Sequence, residues 1–241
     1  MIYMILGDTN AGKDTILNGV ASDKHLKLKK VVQYTTRPKR EYEKDGKDYL
    51  FCKDWDFEYF FKYHKLIYSY YANTEHGVWW YGVEKQKFND DTDYIMTGNL
   101  TALKGFIDNG LSVIPIFIHA DLDVRKARAL KRDGSTDKEV HRRLQQTDIQ
   151  DILPSIPSEL LLDNNKTYSD HAVKVLTRAI ERCRINDYKT FHLYRPDRMI
   201  QLEELNDKID SIYAKNKIQL YNRDTFVEKE KKKHENTNHS S

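Results

Sequence analysis

The sequence predicts an α/β fold in which a parallel sheet is flanked by helices. Two observations predict it. Short apolar segments alternate with helical segments over the first 184 residues, and the first apolar segment ends in a glycine-rich turn that opens directly into a helix. Strands that alternate with helices pair in parallel, because each helix returns the chain to the same end of the sheet. A chain of 241 residues is long enough to bury a core in one large domain or two small ones.

The individual elements follow from hydrophobic periodicity, helix caps and helix stop signals. The apolar run Ile2–Leu6 predicts the first strand, and helical spacing then continues to about Ala21. Gly110 stops one later helix, and a capping box that begins at Thr136 starts another. Further strands are expected at 31–34, 49–51, 93–97, 112–118 and 160–162. Further helices are expected at 54–63, 100–109, 122–131 and 136–150, and from a cap at Ser169 or Asp170 through Cys183.

The remainder of the chain carries weaker signals. Residues 33–92 are polar and aromatic, so we expect an irregular segment with short strands. Beyond Arg184 the pattern fades, and residues 185–222 are expected to form a helical extension with an amphipathic helix at 199–213. Residues 223–241 hold almost nothing to bury, so we expect a disordered tail.

Composition excludes several classes of protein. No apolar run approaches the roughly 18–20 residues that span a bilayer, and the amino terminus lacks the features of a signal peptide. Cys52 and Cys183 are too few for a disulfide framework or a cysteine-rich zinc site, which favours a cytoplasmic protein. The net charge of +3 gives no basic footprint, so neither nucleic acid nor a membrane is an expected partner. A homodimer stays open.

The turn after the first strand has the spacing Gly7-x4-Gly12-Lys13. This is the first part of a Walker A loop, in which backbone N–H groups and the lysine bind the phosphates of a nucleoside triphosphate. We therefore expect ATP to bind at the loop, which comprises Gly7, Asn10, Ala11, Gly12, Lys13, Asp14 and Thr15. The residue after the lysine is Asp14, where Ser or Thr is usual. Its carboxylate either ligates Mg²⁺, directly or through water, or stabilises the start of the helix.

An arginine-rich segment, Thr35-Thr36-Arg37-Pro38-Lys39-Arg40, is followed nine residues later by Tyr49. Two arginines three residues apart and a tyrosine hydroxyl can bracket one phosphate group from several sides. Taken alone, such a segment is more often a solvated basic loop. Its position downstream of a phosphate-binding loop favours a second phosphate site.

With these motifs the sequence resembles the guanylate kinase family of nucleoside monophosphate kinases. The resemblance covers about residues 1–184 and rests on four separated motifs in the family's order. Besides the phosphate loop, the matching residues are Thr35, Thr36, Arg37, Arg40, Asp45, Gly46, Asp48 and Tyr49; Tyr81-Gly82; and Arg128, Arg132 and Arg143-Leu144.

The resemblance implies a P-loop NTPase-type core at 1–184, with an acceptor-binding insert at 33–92 and a helical lid at 123–150. It implies transfer of the γ-phosphoryl group of ATP to a nucleoside monophosphate, with Mg²⁺ as cofactor. Lys13, Arg37, Arg132 and Arg143 would be the catalytic residues, and Arg37, Arg40, Tyr49 and Tyr81 would hold the acceptor phosphate. Arg128 is equally well explained as helix-surface charge.

The positions that read guanine in this family are changed. The family's serine, glutamate and Ser/Thr fall on Gln33, Tyr68 and Val83, and an Asp-x-Asp pair falls on Thr97-Gly98-Asn99. Gln33, Tyr68 and Asn99 are therefore the candidate base contacts in this chain. Either the alignment is shifted, so that Tyr70, Glu75 or His76 supplies the missing contact, or the acceptor is a related or modified deoxynucleotide rather than ordinary GMP.

Two other functions stay open at this stage. One is a kinase of similar fold that acts on a phosphorylated sugar. The other is a catalytically silent, protein-binding relative, against which the intact glycines and Lys13 argue. Heavy use of Lys, Asn, Asp and Tyr is typical of an AT-rich genome. The changed base-reading positions would suit a virus that makes unusual nucleotides, whose enzyme would act in the host cytoplasm.

Overall fold

The computed structural model describes residues 1–74, 76–85, 88–89, 91–133, 138–145, 149–156, 158–165, 169–188, 190–191, 200–201 and 207. These residues divide into two compact units. The described residues of the first unit lie within 1–31 and 88–207, and those of the second within 32–85. The acceptor insert expected at 33–92 overlaps the second unit.

Eleven strands and six α-helices are assigned among the described residues. In chain order they are β1 (Ile2–Leu6), α1 (Lys13–Ala21), β2 (Lys29–Lys30), β3 (Tyr34–Thr35), β4 (Leu50–Phe51), α2 (Asp54–Lys62), β5 (Leu66–Thr74), β6 (Gly77–Glu84), β7 (Tyr94–Thr97), α3 (Leu100–Asp108), β8 (Val113–His119), α4 (Leu122–Asp133), α5 (Lys138–Gln145), β9 (Leu161–Asp163), α6 (Ser169–Ile185), β10 (Thr190–Phe191) and β11 (Ile200–Gln201). Short 3₁₀ segments at Gln150–Ser155 and Ser158–Leu160 precede β9.

The first unit contains the expected parallel sheet, with strand order β2-β7-β1-β8-β9. All five residues of β1 are buried, because this strand is central and pairs on both sides. Apolar side chains of α1, α3 and α6 complete the core, and α1 packs on α6. The predicted α/β class with a mostly parallel sheet flanked by helices is confirmed. Within the described residues, no helix is both long and apolar enough to cross a membrane.

The single strand expected at 31–34 was wrong. The structure has two short strands there: β2 pairs with β7 in the first unit, and β3 pairs with β4 and β6 in the second. Val31 still donates its N–H to the carbonyl of Ile95, after which the chain leaves the parallel sheet. An apolar run shows that a segment can be extended, but it does not show which sheet the segment joins.

Most of the other expected elements are present, with ends that differ by one to three residues. The exception is the helix expected at 136–150, whose described part ends at Gln145 and is followed by the 3₁₀ segment at Gln150–Ser155. Residues 134–137, with the start of the capping box, lie outside the described residues, and so does the tail at 223–241. The helix expected at 199–213 also lies largely outside them, but Ile200 and Gln201 form a strand that pairs with β10.

The second unit is a four-stranded sheet of order β4-β3-β6-β5 covered by α2. Its main feature is an antiparallel hairpin of β5 and β6, with Thr74 paired to Gly77 at the tip. We expected an irregular segment, because the many tyrosines and tryptophans obscure the alternation of polar and apolar residues. The core is aromatic: Phe57, Phe60 and Trp80 are buried and pack with Tyr34, Phe61 and Tyr71.

We predict that Phe57→Ala strongly destabilises the second unit. Phe57 is fully buried, with ring centroids 5.8 Å from Phe60 and 6.2 Å from Trp80. Loss of such a ring costs about 3–5 kcal/mol. Tyr59→Ala is the matched control, because Tyr59 lies on the same helix and is half exposed; a change within about 0.5 kcal/mol is expected. Urea denaturation measures both, and equal effects would contradict the assigned core.

Candidate active site

The phosphate loop in the first unit connects the end of β1 to the start of α1. Gly12 has φ +102°, and a Cβ at this position would overlap Nδ2 of Asn164. A Cβ at Gly7 would lie 2.5 Å from the carbonyl oxygen of Ile118 on the neighbouring strand. Both glycines are therefore required by close contacts with other parts of the chain. The loop has the length and position that suit a phosphate group at the start of a helix.

Lys13, the first residue of α1, reaches back across the loop. Its Nζ donates to the carbonyl of Gly7 at 2.7 Å and to that of Asp8 at 3.0 Å. These bonds hold its positive charge over the loop. Asp14 and Thr15 follow in the first turn of α1, and both side chains are exposed.

Arg128 on α4 and Asn164 after β9 hold the loop in place. The carbonyl of Ala11 accepts from Nη1 of Arg128 at 3.1 Å and from Nδ2 of Asn164 at 2.7 Å. Nη2 of Arg128 also donates to the main-chain carbonyl of Asn164 at 2.6 Å. Partial burial lowers the pKa of Arg128 from its ordinary value. Arg128 is thus not simple surface charge: it joins α4 to the phosphate loop.

Asp8 is a loop residue that sequence reasoning missed. Its carboxylate is buried, accepts from the N–H of Ile149 at 3.1 Å, and lies 3.6 Å from Nη2 of Arg125 on α4. The sequence offers one signal for it, an acidic side chain directly after the first glycine of an anion-binding loop. Such a carboxylate needs a cationic partner nearby.

The two arginines expected to close over the transferred phosphoryl group lie on α4 and α5. Arg132 is on α4, and its side chain is outside the described residues. Arg143 is on α5, with a half-buried side chain. The two helices pack against each other. The catalytic roles of both residues remain predictions.

In the second unit, Arg37 is held in a buried position. Its Nη2 donates to Oε1 of Glu43 at 2.7 Å, its Nη1 donates to the carbonyl of Pro38 at 2.8 Å, and its guanidinium carbon lies 5.3 Å from the ring centroid of Tyr49. Burial by itself would lower the pKa of Arg37, but the hydrogen bond that it donates to Glu43, together with the nearby Glu43, Tyr81 and Tyr49 side chains, raises it overall. Arg37 is a fixed, permanently charged group.

Glu43 is the second residue that sequence reasoning missed. Its Oε1 accepts from Arg37, and its Oε2 accepts from the main-chain N–H of Arg40 at 2.9 Å. Burial would raise the pKa of Glu43, yet these two hydrogen bonds lower it, so the carboxylate stays ionised. A carboxylate three residues after Arg40 was the available signal. Arg40 itself is half exposed, and its Nη1 contacts the hydroxyl of Tyr42 at 3.1 Å.

The acidic residues of the next turn shape the backbone around Tyr49. Asp48 accepts from the N–H of Lys44 at 2.8 Å, and Asp45 accepts from the N–H of Phe51 at 2.9 Å. Gly46 adopts φ +74° and donates to the carbonyl of Tyr49. The motif around Asp45-Gly46 is therefore a turn whose carboxylates are used by the backbone, and it places the Tyr49 ring 6.0 Å from that of Tyr81.

Four tyrosines are brought together in this sheet. Tyr81 is stacked on Tyr70, with centroids 4.9 Å apart and planes 9° from parallel, and Tyr70 is stacked in turn beside Tyr68 at 6.3 Å. The hydroxyl of Tyr68 donates to Oε1 of Gln33 at 2.7 Å, and both side chains are buried. Burial raises the pKa of Tyr68 well above its ordinary value, so the hydroxyl stays protonated. Two of the expected base contacts therefore bind each other.

The remaining residues of the expected base pocket are more scattered. Asn99 belongs to the first unit and caps α3, where its Oδ1 accepts from the N–H of Ala102 at 2.9 Å. The cap explains the position of the Asn99 side chain without a bound nucleotide. Its role in binding the acceptor nucleotide remains a prediction. Val83 is buried on β6, His76 is exposed at the hairpin tip, and Glu75 lies outside the described residues.

An Mg²⁺ ion fits the donor set at the phosphate loop. Asp14 offers an exposed carboxylate in the first turn of α1, and Thr15 adds an exposed hydroxyl beside it. Mg²⁺ prefers hard oxygen ligands and commonly takes only one or two from the protein, together with water and phosphate oxygens.

Comparison with known proteins places the chain in a family. Residues 1–183 match the family model for guanylate kinase. The guanylate kinase of Mycoplasma mobile is 32% identical over 150 residues, which are 59% of this chain and 75% of that protein. The guanylate kinase of Mycoplasmoides gallisepticum is 28% identical over 148 residues, which are 61% of this chain and 75% of that protein.

The fold agrees with this assignment. The crystal structure of guanylate kinase from Anaplasma phagocytophilum aligns with a TM-score of 0.52, covering 86% of this chain and 93% of that one. At 17% sequence identity this likeness concerns the fold alone. The match of the family model to residues 1–183, together with the two relatives, shows that the chain belongs to the guanylate kinase family and is a nucleoside monophosphate kinase.

Proposed function

We propose that this enzyme transfers the γ-phosphoryl group of ATP to GMP, dGMP or a related or modified deoxynucleoside monophosphate. The observation that carries the proposal is the buried Arg37–Glu43 pair beside Tyr49. A buried arginine held by one carboxylate and one carbonyl keeps a fixed geometry for a phosphate group. The phosphate loop supplies the second requirement, a site for the triphosphate of the donor.

In this mechanism the protein positions groups and balances charge, since phosphoryl transfer needs little covalent chemistry from it. The loop N–H groups and Lys13 hold the donor phosphates. Arg37, Arg40, Tyr49 and Tyr81 hold the acceptor phosphate, one oxygen of which attacks the γ-phosphorus in line. A bound Mg²⁺ supplies compensation for the negative charge of the phosphate oxygens.

Arg132 and Arg143 have the complementary role in this proposal. As the bond to the leaving oxygen breaks, they balance negative charge on the transferred group, for which an arginine can supply about 10³–10⁵ in rate. The helices that carry them would act as the lid that excludes water from the reaction. The core at 1–184, the insert at 33–92 and the lid at 123–150 form the proposed division of the chain.

The Gln33–Tyr68 pair supports an altered choice of base. A carboxylate accepts well from two N–H groups of one base edge, whereas a phenol and an amide that bind each other offer uncharged, mixed donors and acceptors. Sites built on buried hydrogen bonds discriminate strongly, because a mismatched ligand leaves polar groups unpaired. The pair is thus the proposed determinant of the base.

A panel of acceptors tests the proposal. Coupled ADP release is measured with GMP, dGMP, dAMP, dCMP, dTMP, base-modified deoxynucleoside monophosphates and a phosphorylated sugar. We expect turnover with (d)GMP or a modified relative. Turnover with the sugar alone would replace the proposal with a phospho-sugar kinase, and preference for dAMP, dCMP or dTMP would contradict the proposed base.

We predict that Lys13→Ala lowers kcat at least about 100-fold, because a cation that meets the transferring phosphates is removed. The fold should persist, since Nζ donates to two carbonyls of the loop itself and the core of the sheet is left intact. Lys24→Ala, at an exposed position after α1, is the control and should keep wild-type activity. Circular dichroism and steady-state kinetics check both variants. Near-normal kcat for Lys13→Ala would refute the donor site.

We predict that Glu43→Gln raises the acceptor KM by roughly 10- to 100-fold, the worth of a charge-assisted hydrogen bond. The variant loses the charge that holds Arg37 while keeping the shape of the side chain. The KM for ATP should stay within about twofold, because the side chain of Glu43 binds Arg37 and the N–H of Arg40, which are proposed to hold the acceptor phosphate. Glu41→Gln, an exposed change two residues away, is the matched control. An unchanged acceptor KM in Glu43→Gln would argue against the proposal that the Arg37–Glu43 pair holds the acceptor phosphate.

We predict that Tyr68→Phe changes the ratio of kcat/KM between the preferred acceptor and its nearest competitor by about 10-fold. The change removes the hydroxyl that donates to Gln33 and leaves the stacked ring in place. Tyr63→Phe, at an exposed position after α2, serves as the control. The acceptor panel measures both. Equal ratios in wild type and Tyr68→Phe would show that the pair does not select the base.

A further inference from the structure

We propose that Asp8 is a positioning residue that ties both ends of the α4–α5 helix pair to the phosphate loop, so that the donor at the loop sets the position of the arginines on those helices. The inference rests on the proposed function, because it takes the loop as the site of the ATP phosphates.

The contacts of Asp8 reach the two ends of the helix pair. Arg125, in the first turn of α4, places its Nη2 3.6 Å from Oδ2 of Asp8. Ile149, four residues beyond the end of α5, donates its N–H to Oδ1 of Asp8 at 3.1 Å. The side chain of Asp8 is 4% exposed and that of Arg125 is 1% exposed. One buried carboxylate therefore fixes both the entry and the exit of residues 122–149.

Arg128 provides an independent attachment on the same helix. It lies three residues after Arg125, hence on the same face of α4, and it donates to the carbonyls of Ala11 and Asn164. The start of α4 is thus held to the loop at two points, one through a side chain and one through the backbone. Beyond these two attachments, Leu130 and Lys131 are exposed. Motion of the helix pair would have its fixed end at Asp8.

Asp8 also contacts, through its own backbone carbonyl, the lysine that is proposed to bind the donor phosphates. Its carbonyl accepts from Nζ of Lys13 at 3.0 Å, and Lys13 is the proposed ligand of the donor phosphates. The residue that Lys13 contacts is the same residue that holds Arg125 and Ile149. Donor binding and the position of the helix pair then act on one short stretch of backbone, which is a physical basis for coupling.

The Asp8–Arg125 pair is poorly suited to a purely stabilising role. Nη1 of Arg125 is buried and has no hydrogen-bond partner among the described residues. A buried ion pair with an unsatisfied donor contributes little net stability, and an apolar pair of similar volume is often as stable. The Nε of Arg125 is fixed by the carbonyl of Ala120 at 3.2 Å, so the arginine is oriented toward Asp8 by its own helix end.

The test uses the full chain and compares Asp8→Ala, Asp8→Asn and Arg125→Met with the wild type. We expect Asp8→Ala to lower kcat about 10-fold, the usual scale of coupling between contacting residues, while the acceptor KM changes less than about twofold. Asp8→Asn should recover part of this loss, because its amide oxygen still accepts from Ile149. Asp123→Asn and Lys126→Met alter the exposed ion pair of the same helix and are the matched controls.

A purely structural role gives a different pattern. Asp8→Ala would then lower the urea midpoint while kcat per folded molecule stays at the wild-type value. The kcat of Asp8→Asn would likewise equal that of the wild type. That result overturns the proposal. If Asp8→Ala does not fold, the kcat and urea midpoint of Asp8→Asn and Arg125→Met decide between the same two outcomes.

Hydrogen exchange separates this proposal from the proposed function, since it needs no turnover. We expect ATP to protect the N–H of Ile149 and the amides of α5 in the wild type, and to protect them at least about 10-fold less in Asp8→Ala. Protection in the wild type without turnover of any acceptor would refute the proposed function and leave the coupling intact. Turnover in the wild type with equal protection in Asp8→Ala would refute the coupling.

Discussion

The carbonyl of Ala11 is the point on which the phosphate site depends. It accepts from Arg128 of α4 and from Asn164 after β9, so two distant segments meet at one loop atom. A loop that must present its N–H groups to an anion needs its carbonyls bound elsewhere, because an unpaired buried carbonyl is costly. Asn164 packs so closely against Gly12 that no side chain fits at residue 12, so the same contact that binds the Ala11 carbonyl also requires the glycine.

Cationic side chains near the proposed phosphate sites are each fixed by their own hydrogen-bond partners. Arg37 is fixed by Glu43, Arg128 by main-chain carbonyls, and Lys13 by the loop itself. A net charge of +3 therefore says little about the site, since the relevant cations are defined by their partners rather than by their number. Holding a cation in advance reduces the ordering that a bound phosphate would otherwise require.

The motifs with the clearest sequence signals are those whose residues lie close together along the chain. The phosphate loop and the segment with Arg37 and Tyr49 were both found from spacing, and the structure explains the spacing through short-range hydrogen bonds such as Asp48 to Lys44. The strand at 31–34 and the β5–β6 hairpin were misjudged, since an aromatic-rich segment shows no clear period. Roles assigned to Arg132, Arg143 and Asn99 remain predictions.

The sequence by itself determined the α/β class, the phosphate loop and the kinase family, because each is read from short local patterns and from their order along the chain. Only the tertiary structure decided what the side chains bind. Asp8 meets Ile149 across 141 residues, and Tyr68 meets Gln33 across 35. Such contacts arise when separate segments pack together, and the spacing of residues along one segment carries no information about which distant atom will lie beside it.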